Sequence, residues 1–306
     1  MDENYPKSLV DFERRFSTDL ACLEYLAQLR WAEGFVCPRC GSKEFWHMAR
    51  QLRCCRKCRH QASITAGTIF HRSKKPMVLW FKAMWYITNQ KYGANALGLM
   101  RVLQLGGYQT AWEWLHKLRR AMVRPGREML SGTVQVDETY LGGKRSGKRG
   151  RGAEGKTVVG IAVEDKGDDG IGRIRLAKLS DASADSLNSF LTQTVSKGST
   201  IITDDWAGYV QSGYSREIWQ SCDLKLPHRI ASLLKRWLLG TYQGAARSSH
   251  LEYYLDEYTF RFNRRKSHFR GKLFYRLAQQ ALQIDPHPRT TLKALDGLSE
   301  EDEFDV

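Results

Sequence analysis

The chain has no apolar run near the ~18–20 residues that a membrane span requires. Its opening stretch, MDENYPKSLVDFERRF, is charged where a secretory signal would be apolar. No internal repeat is present, which excludes a solenoid. A disulfide framework is also missing: the seven cysteines are odd in number, and five of them crowd into positions 37–58. These absences lead us to expect a cytoplasmic protein with reduced thiols and no membrane partner. At 306 residues, 42% hydrophobic and 26% charged, the chain is long enough for two or three domains with real cores.

What is present in excess is positive charge. The formal net charge is +15, and it is localised. Residues 1–130 carry 22 basic and 10 acidic side chains, residues 131–265 carry 20 and 16, and residues 266–306 carry 6 and 7. A basic excess gathered in the first part points to a polyanion, above all nucleic acid. A plain basic face on a soluble protein is the competing reading.

Hydrophobic spacing divides the chain. Residues 8–32 predict one or two short helices, and 35–60 are short, cysteine-rich and turn-rich. Three helices follow: one from Lys75 to Thr88 opened by Pro76, one from Asn95 to Leu105 stopped by Gly106-Gly107, and one from Gln109 to Val123. β-Branched, alternating segments then predict strands at 133–143, 157–165, 172–180 and 199–204, with a helix at 183–196 and helical chain from Leu226 to Arg265. A Gly/Lys/Arg-rich loop (142–156) and the acidic tail (297–306) predict mobile chain. The expected class is multidomain α+β. The expected divisions are 1–72 (N-terminal helices and cysteine module), 73–128 (helical segment), 129–285 (mixed sheet with flanking helices) and 286–306 (disordered tail).

Cys37-x2-Cys40 and Cys55-x2-Cys58 place four thiolates in two knuckles, the donor set and spacing of structural Zn²⁺. A register through Cys54 gives a less regular CxxxC, so Cys54 is read as a bystander; a redox CxxC pair is the bland alternative. The segment NALGLMRVLQLGGYQTAWEWLHKLRRAM reads as helix, glycine turn and helix. In a helix-turn-helix, polar residues of the second helix reach the DNA major groove. Gln109, Thr110, Glu113, Lys117, Arg119 and Arg120 are the candidate contacts, and Trp112, Trp114, Leu115 and Leu118 the core stripe. Two helices that merely pack a small domain are the alternative.

Asp137 interrupts an otherwise apolar strand, VQVDETY, and Asp204 ends another, STIITD. Buried charge in a strand is costly unless it faces a cleft or a metal. Two acids on adjacent strands can share divalent cations for phosphodiester chemistry. A turn-capping role is the alternative for each, and Asp205 is read as such a cap. Glu138 alternates to the opposite face.

CPRC…CRKCRHQASITAGTIFH, the helix pair, VDETYLGG, TDDWAGY and SLLKRWLLGTYQG…HLEYYLDEYTFRFNRR together resemble, in this order from about residue 15 to 285, the zinc-ribbon insertion-sequence transposases with an ISXO2-like DDE domain. The resemblance implies a zinc ribbon and an RNase H-like fold. It also implies Mg²⁺ or Mn²⁺ as catalytic metal, and cleavage and joining of double-stranded DNA at element ends and target by a homo-oligomer on the nucleoid. Asp137 matches the first acid and Asp204 the second. The third position departs from the pattern. Lys235 fits the family's lysine, but seven residues before it stands His228 rather than Glu, two helical turns away on the same face. Either His228 is a third ligand, or the copy is impaired and remains a DNA-binding protein without catalysis. Lys235 is expected to hold a DNA phosphate, with a solvated charge as the alternative. The acids Glu252, Asp256 and Glu257 are expected to be solvated or paired, and FRFNRR to touch DNA or close the catalytic domain.

Overall fold

A computed structural model describes residues 3–142, 156–209, 213–244 and 246–296. Most of the Gly/Lys/Arg loop and the acidic tail, both expected to be mobile, therefore lie outside the described residues. The chain forms two compact units: Met1–Pro125 together with Ser267–Leu292, and a second built on Gly126–Lys266.

The first unit opens with α1 (Leu9–Arg15) and α2 (Asp19–Arg30), each started by a side-chain cap. Ser8 Oγ accepts from Asp11 N, and Thr18 Oγ1 from Ala21 N. A three-stranded antiparallel ribbon follows: β1 (Phe45–His47), β2 (Arg53–Cys55) and β3 (Gln61–Ala62). Then come α3 (Met77–Asn89), α4 (Ala96–Leu103, capped by Asn95) and α5 (Tyr108–Arg120), close to the three helices expected. Trp80 of α3 stacks on Trp114 of α5, with centroids 4.0 Å apart and planes at 15°, so that indole belongs to the core.

The second unit is a five-stranded sheet, β4 (Thr133–Leu141), β5 (Thr157–Asp165), β6 (Ile171–Leu179), β7 (Thr200–Thr203) and β8 (Ser215–Ile218). Its spatial order is β6-β5-β4-β7-β8. The first three strands form an antiparallel meander. α6 (Ala184–Thr194) then carries the chain across so that β7 runs parallel to β4, and β8 parallel to β7. This is the RNase H-like mixed sheet. α7 (Lys225–Tyr242) and α8 (Leu251–Asn263) cover one face through a core of Val159, Ile161, Ile230, Leu234 and Tyr254; α6 covers the other through Val134, Val136, Phe190 and Ile201. Burial on both sides explains the nearly unbroken apolar run of β5. Within it, a Cβ at Gly160 would come within 3.0 Å of the Phe190 ring, so glycine lets α6 settle onto the sheet.

The chain then returns to the first unit as α9 (Arg270–Ala281). Phe274 packs edge-on against Phe12 and Phe81. Glu3 pairs with Lys272 at 2.8 Å and with Arg276. A Cβ at Gly271 would overlap the Pro6 carbonyl oxygen. The sheet unit thus ends near Lys266, ahead of the boundary drawn at 285, because the apolar face of α9 is buried in the N-terminal core. A last helix, α10 (Arg289–Asp296), occupies part of the segment expected to be disordered, with Leu292 buried. No helix among the described residues is long and apolar enough to cross a membrane.

Candidate active site and zinc ribbon

The two cysteine knuckles share one backbone geometry. Gly41 N donates to Cys37 O and Arg59 N to Cys55 O; Cys37 N donates to Ser42 O and Cys55 N to His60 O. Gly41 and Arg59 both take positive φ, +72° and +61°, which turns each chain so that its two sulfurs face inward. The Sγ atoms of Cys37, Cys40, Cys55 and Cys58 all lie within 4.8 Å of one another, with 3.6 Å between Cys37 and Cys58 and between Cys40 and Cys55. Sulfurs at about 2.3 Å from zinc form a tetrahedron with edges of about 3.8 Å, so the quartet fits the ion. The backbone N–H of Cys58, aided by the Cys40 thiol, lowers the Cys55 pKa; at Cys58, against the backbone N–H of His60, burial and the neighbouring thiols raise it, as expected where close sulfurs share their protons. Cys54 stays outside the quartet, its thiol turned to the carbonyls of Cys55 and Arg59.

Strand register positions the acids. β4 and β7 pair in parallel with Gln135 opposite Ile202. Two residues on from that pair stand Asp137, within β4, and Asp204, one residue past the end of β7, and the Asp204 charge is felt at Asp137. Val134, Val136 and Ile201 face α6, which leaves Gln135, Asp137 and Asp204 for the face that α7 covers. His228, in the first turn of α7, brings Nε2 to 3.1 Å from Asp137 Oδ2. Burial first, and then the Glu138 carboxylate, push the Asp137 carboxyl up to about 6; Asp204 adds to the push, while the Glu138 backbone N–H and His228 oppose it. Among the described residues, the cysteine quartet is the group whose ligand atoms close to within 4.8 Å; the set of Asp137, Asp204 and His228 is more open.

Several details were not legible in the sequence. Gln135 is buried: its Oε1 accepts from Leu226 N at 3.3 Å and its Nε2 donates to Asp165 Oδ2 at 2.8 Å. It thereby supplies an acceptor to the first turn of α7, where backbone N–H groups lack helical partners. Asp204, and not Asp205, caps the following turn, with Oδ1 accepting from Trp206 N at 3.1 Å. Tyr209 of the same TDDWAGY segment is buried and donates to Glu138 Oε2 at 2.9 Å. Burial and the surrounding Glu138, Asp137 and Asp204 hold its phenol well above its usual range, so it acts there as a donor. Glu138 does face away from Asp137, as alternation requires.

Lys235 lies two turns along α7 from His228, in a cavity of about 190 Å³ that Lys156 also lines. Burial, and then the Lys156 charge, lower its pKa. Glu257 is fully buried and paired with Arg261 at 2.8 Å, while Asn263 bonds both backbone groups of Ile174 on β6, so the end of α8 closes the edge of the sheet.

The helix pair is the largest correction. Arg119, expected at DNA, is 2% exposed and donates to Ala94 O at 2.7 Å. Glu113 pairs with Arg289 at 2.9 Å. Lys117 is half-buried, and burial lowers its pKa. Gln109 and Thr110 are half-exposed at the start of α5 and Arg120 is exposed at its end. The physical reason is that α5 is packed on more than one side: Ala111, Trp114, Leu115, His116 and Leu118 are all buried.

Residues 129–263 match the ISXO2-like transposase domain, and residues 17–61 the transposase zinc-ribbon domain. A protein of Halobacterium salinarum, described as an uncharacterized protein in transposable element ISH50, is 24% identical over 215 residues, 64% of this chain and 70% of that one. Among solved structures, the catalytic core domain of BIV integrase aligns over 46% of this chain and 89% of its own, at 17% identity and a TM-score of 0.33. A simian T-cell lymphotropic virus intasome in complex with a PP2A regulatory subunit aligns over 59% and 65%, at 14% identity and a TM-score of 0.31. The chain thus carries a transposase zinc-ribbon domain followed by an ISXO2-like transposase domain.

Proposed function

We propose that this chain is a DNA transposase that binds the ends of its element as a homo-oligomer and catalyses divalent-metal-dependent cleavage and strand transfer. The observation that carries the reading is Asp137 on β4 with His228 Nε2 at 3.1 Å, and Asp204 just past the end of the parallel neighbour β7. A carboxyl pushed up to about 6 by burial first, and then by its acidic neighbours, is a group that a cation would relieve, so the donor set suits Mg²⁺ or Mn²⁺. An imidazole as third donor favours Mn²⁺ over the harder Mg²⁺. Asp137, Asp204 and His228 would hold such ions, which when bound would supply neutralisation of phosphate charge and activation of the attacking oxygen.

In this reading the scissile phosphate and the attacking water lie in line beside Asp137, Asp204 and His228, whose part would be to hold the divalent ions. The water oxygen bonds to phosphorus as the P–O3′ bond breaks, leaving a 3′-hydroxyl. That hydroxyl then attacks a target phosphodiester in line, with no covalent protein intermediate. Lys235 and Lys156 together suit a backbone phosphate beside the acids. The ribbon is held by zinc on Cys37, Cys40, Cys55 and Cys58. It offers DNA an outer surface of Arg56, Lys57 and Arg59, with Arg59 stacked 4.4 Å above the half-exposed Trp46. Among the helix-pair candidates, Gln109, Thr110 and Arg120 keep the exposure that a DNA contact needs.

The test is nicking of element-end DNA with Mn²⁺. Asp137→Asn should abolish nicking and retain DNA binding; equal nicking by both proteins would instead indicate a DNA-binding protein whose catalysis does not use these acids. His228→Glu should keep or raise Mg²⁺-supported activity and His228→Ala should lose it, and indifference to both removes His228 from the site.

A further inference from the structure

The row that holds Asp137 and Asp204 continues onto a third strand. Thr203 pairs with Ile218, and Trp219 N donates to Thr203 O at 2.9 Å, so Trp219 stands level with Asp204 on the neighbouring parallel chain. Level residues of parallel strands share a face. Arg216, at the alternate parity, bonds Thr203 Oγ1 on the α6 side, which puts Trp219 on the side of the acids. The indole is 37% exposed, just past the end of the edge strand β8. A cleft of about 620 Å³ opens beside it, bounded by Trp219, Gln220, Asp223, Lys225, the buried Gln135 and the half-buried Asp165. Its far wall is the start of α7, the turn that carries His228.

The chemistry of the cleft selects its occupant. Two carboxylates against one ammonium disfavour a phosphate. They favour a neutral group that offers N–H donors, and the aromatic wall favours a flat one. A nucleobase has both a π-face and, in adenine, cytosine and guanine, an exocyclic amine that a carboxylate can accept. The volume lies within the ~300–1,000 Å³ of ordinary ligand sites. Asp165 already accepts from Gln135 Nε2 and Gly167 N, which leaves the exposed Asp223 as the acceptor.

Resting on the transposase reading, we propose that this cleft receives one unpaired, amine-bearing nucleobase of the DNA strand whose phosphate lies at Asp137 and Asp204, stacked on Trp219 and bonded to Asp223. Trp219 is then a positioning residue: it fixes the strand by its base while the acids hold the phosphate. Taking a base out of a duplex costs stacking and pairing, least where the base is already mismatched. The site therefore rewards an end that is frayed.

Full-length, zinc-loaded protein is titrated by fluorescence anisotropy against two element-end duplexes that differ only in a mismatched adenine beside the cleavage position. The frayed duplex should bind about tenfold more tightly, the scale of one base–aromatic stack. The ratio of the two affinities should fall to about one in Trp219→Ala and be largely kept in Trp219→Phe. A mismatched thymine, which lacks the amine, should gain less than adenine. A preference that survives Trp219→Ala, no preference in the wild type, or equal gains for thymine and adenine overturns the cleft assignment and leaves the transposase reading standing. Failure of the wild type to bind either duplex overturns both.

Discussion

Gln135 and Asp137 sit two residues apart on one face of β4, and each is polar where a sheet interior favours aliphatics. Asp137 announces itself in the sequence because a carboxylate amid VQV-type chain has no cheap structural use. Gln135 does not, because a neutral amide there resembles any surface-alternating residue; its partners, Leu226 and Asp165, lie far away in the chain. Gln135→Leu leaves a helix N–H without its acceptor and should cost about 1–3 kcal/mol, read as a lower denaturant midpoint. It should also lower nicking by loosening the turn that holds His228. Arg119 illustrates the opposite difficulty. A cation late in an amphipathic helix looks the same whether it meets a phosphate or, as here, the Ala94 carbonyl. Near it, burial and then Arg120 and Lys117 lower the pKa of His287 to about 4, below its ordinary 6.5. The unfolded chain takes up a proton below 6.5 that the folded unit refuses. Stability of the N-terminal unit should therefore be full above pH 6.5 and decline as the pH falls toward 4. Denaturant midpoints across that range should show the slope, and His287→Gln should flatten it.

The ribbon is an element that could not stand without its metal. Strands of two and three residues cannot hold a sheet, and the hydrophobic support is a small cluster around Phe35, Phe45 and Ala62. Chelation should therefore melt the ribbon and leave the five-stranded sheet folded, seen as loss of amide-exchange protection over residues 37–62 and its retention over β4–β6. Cys55→Ser should lose stoichiometric zinc, while Cys54→Ser should keep it. Cysteine spacing made this element legible because the chemistry is local. β8 was missed for the contrary reason: SREI is short, polar and at the edge, and nothing in four such residues distinguishes a strand from a loop. Its register against β7 is nonetheless what brings Trp219 N to the carbonyl of Thr203, the residue before Asp204.

At the scale of the molecule, the first unit is discontinuous in sequence. Helical periodicity predicts helical chain from Leu226 to Arg265 only, and the expected boundary at 285 puts α9 with the sheet; an amphipathic helix does not state which apolar surface it will meet. Truncation after Lys266 should uncover Phe12, Phe81 and Trp85, all in ring contact with Phe274. Calorimetry should then show the N-terminal transition lost or sharply lowered while the transition of the sheet unit persists. Gly271→Ala is a milder form of the same insult, since its methyl would press on Pro6. The interleaving also imposes a timetable on biosynthesis. Residues 126–266 leave the ribosome as one block and can condense there, whereas the helices made first must wait for α9 before their own interior can seal. The first unit is thus the last to mature, after the sheet unit has already taken shape.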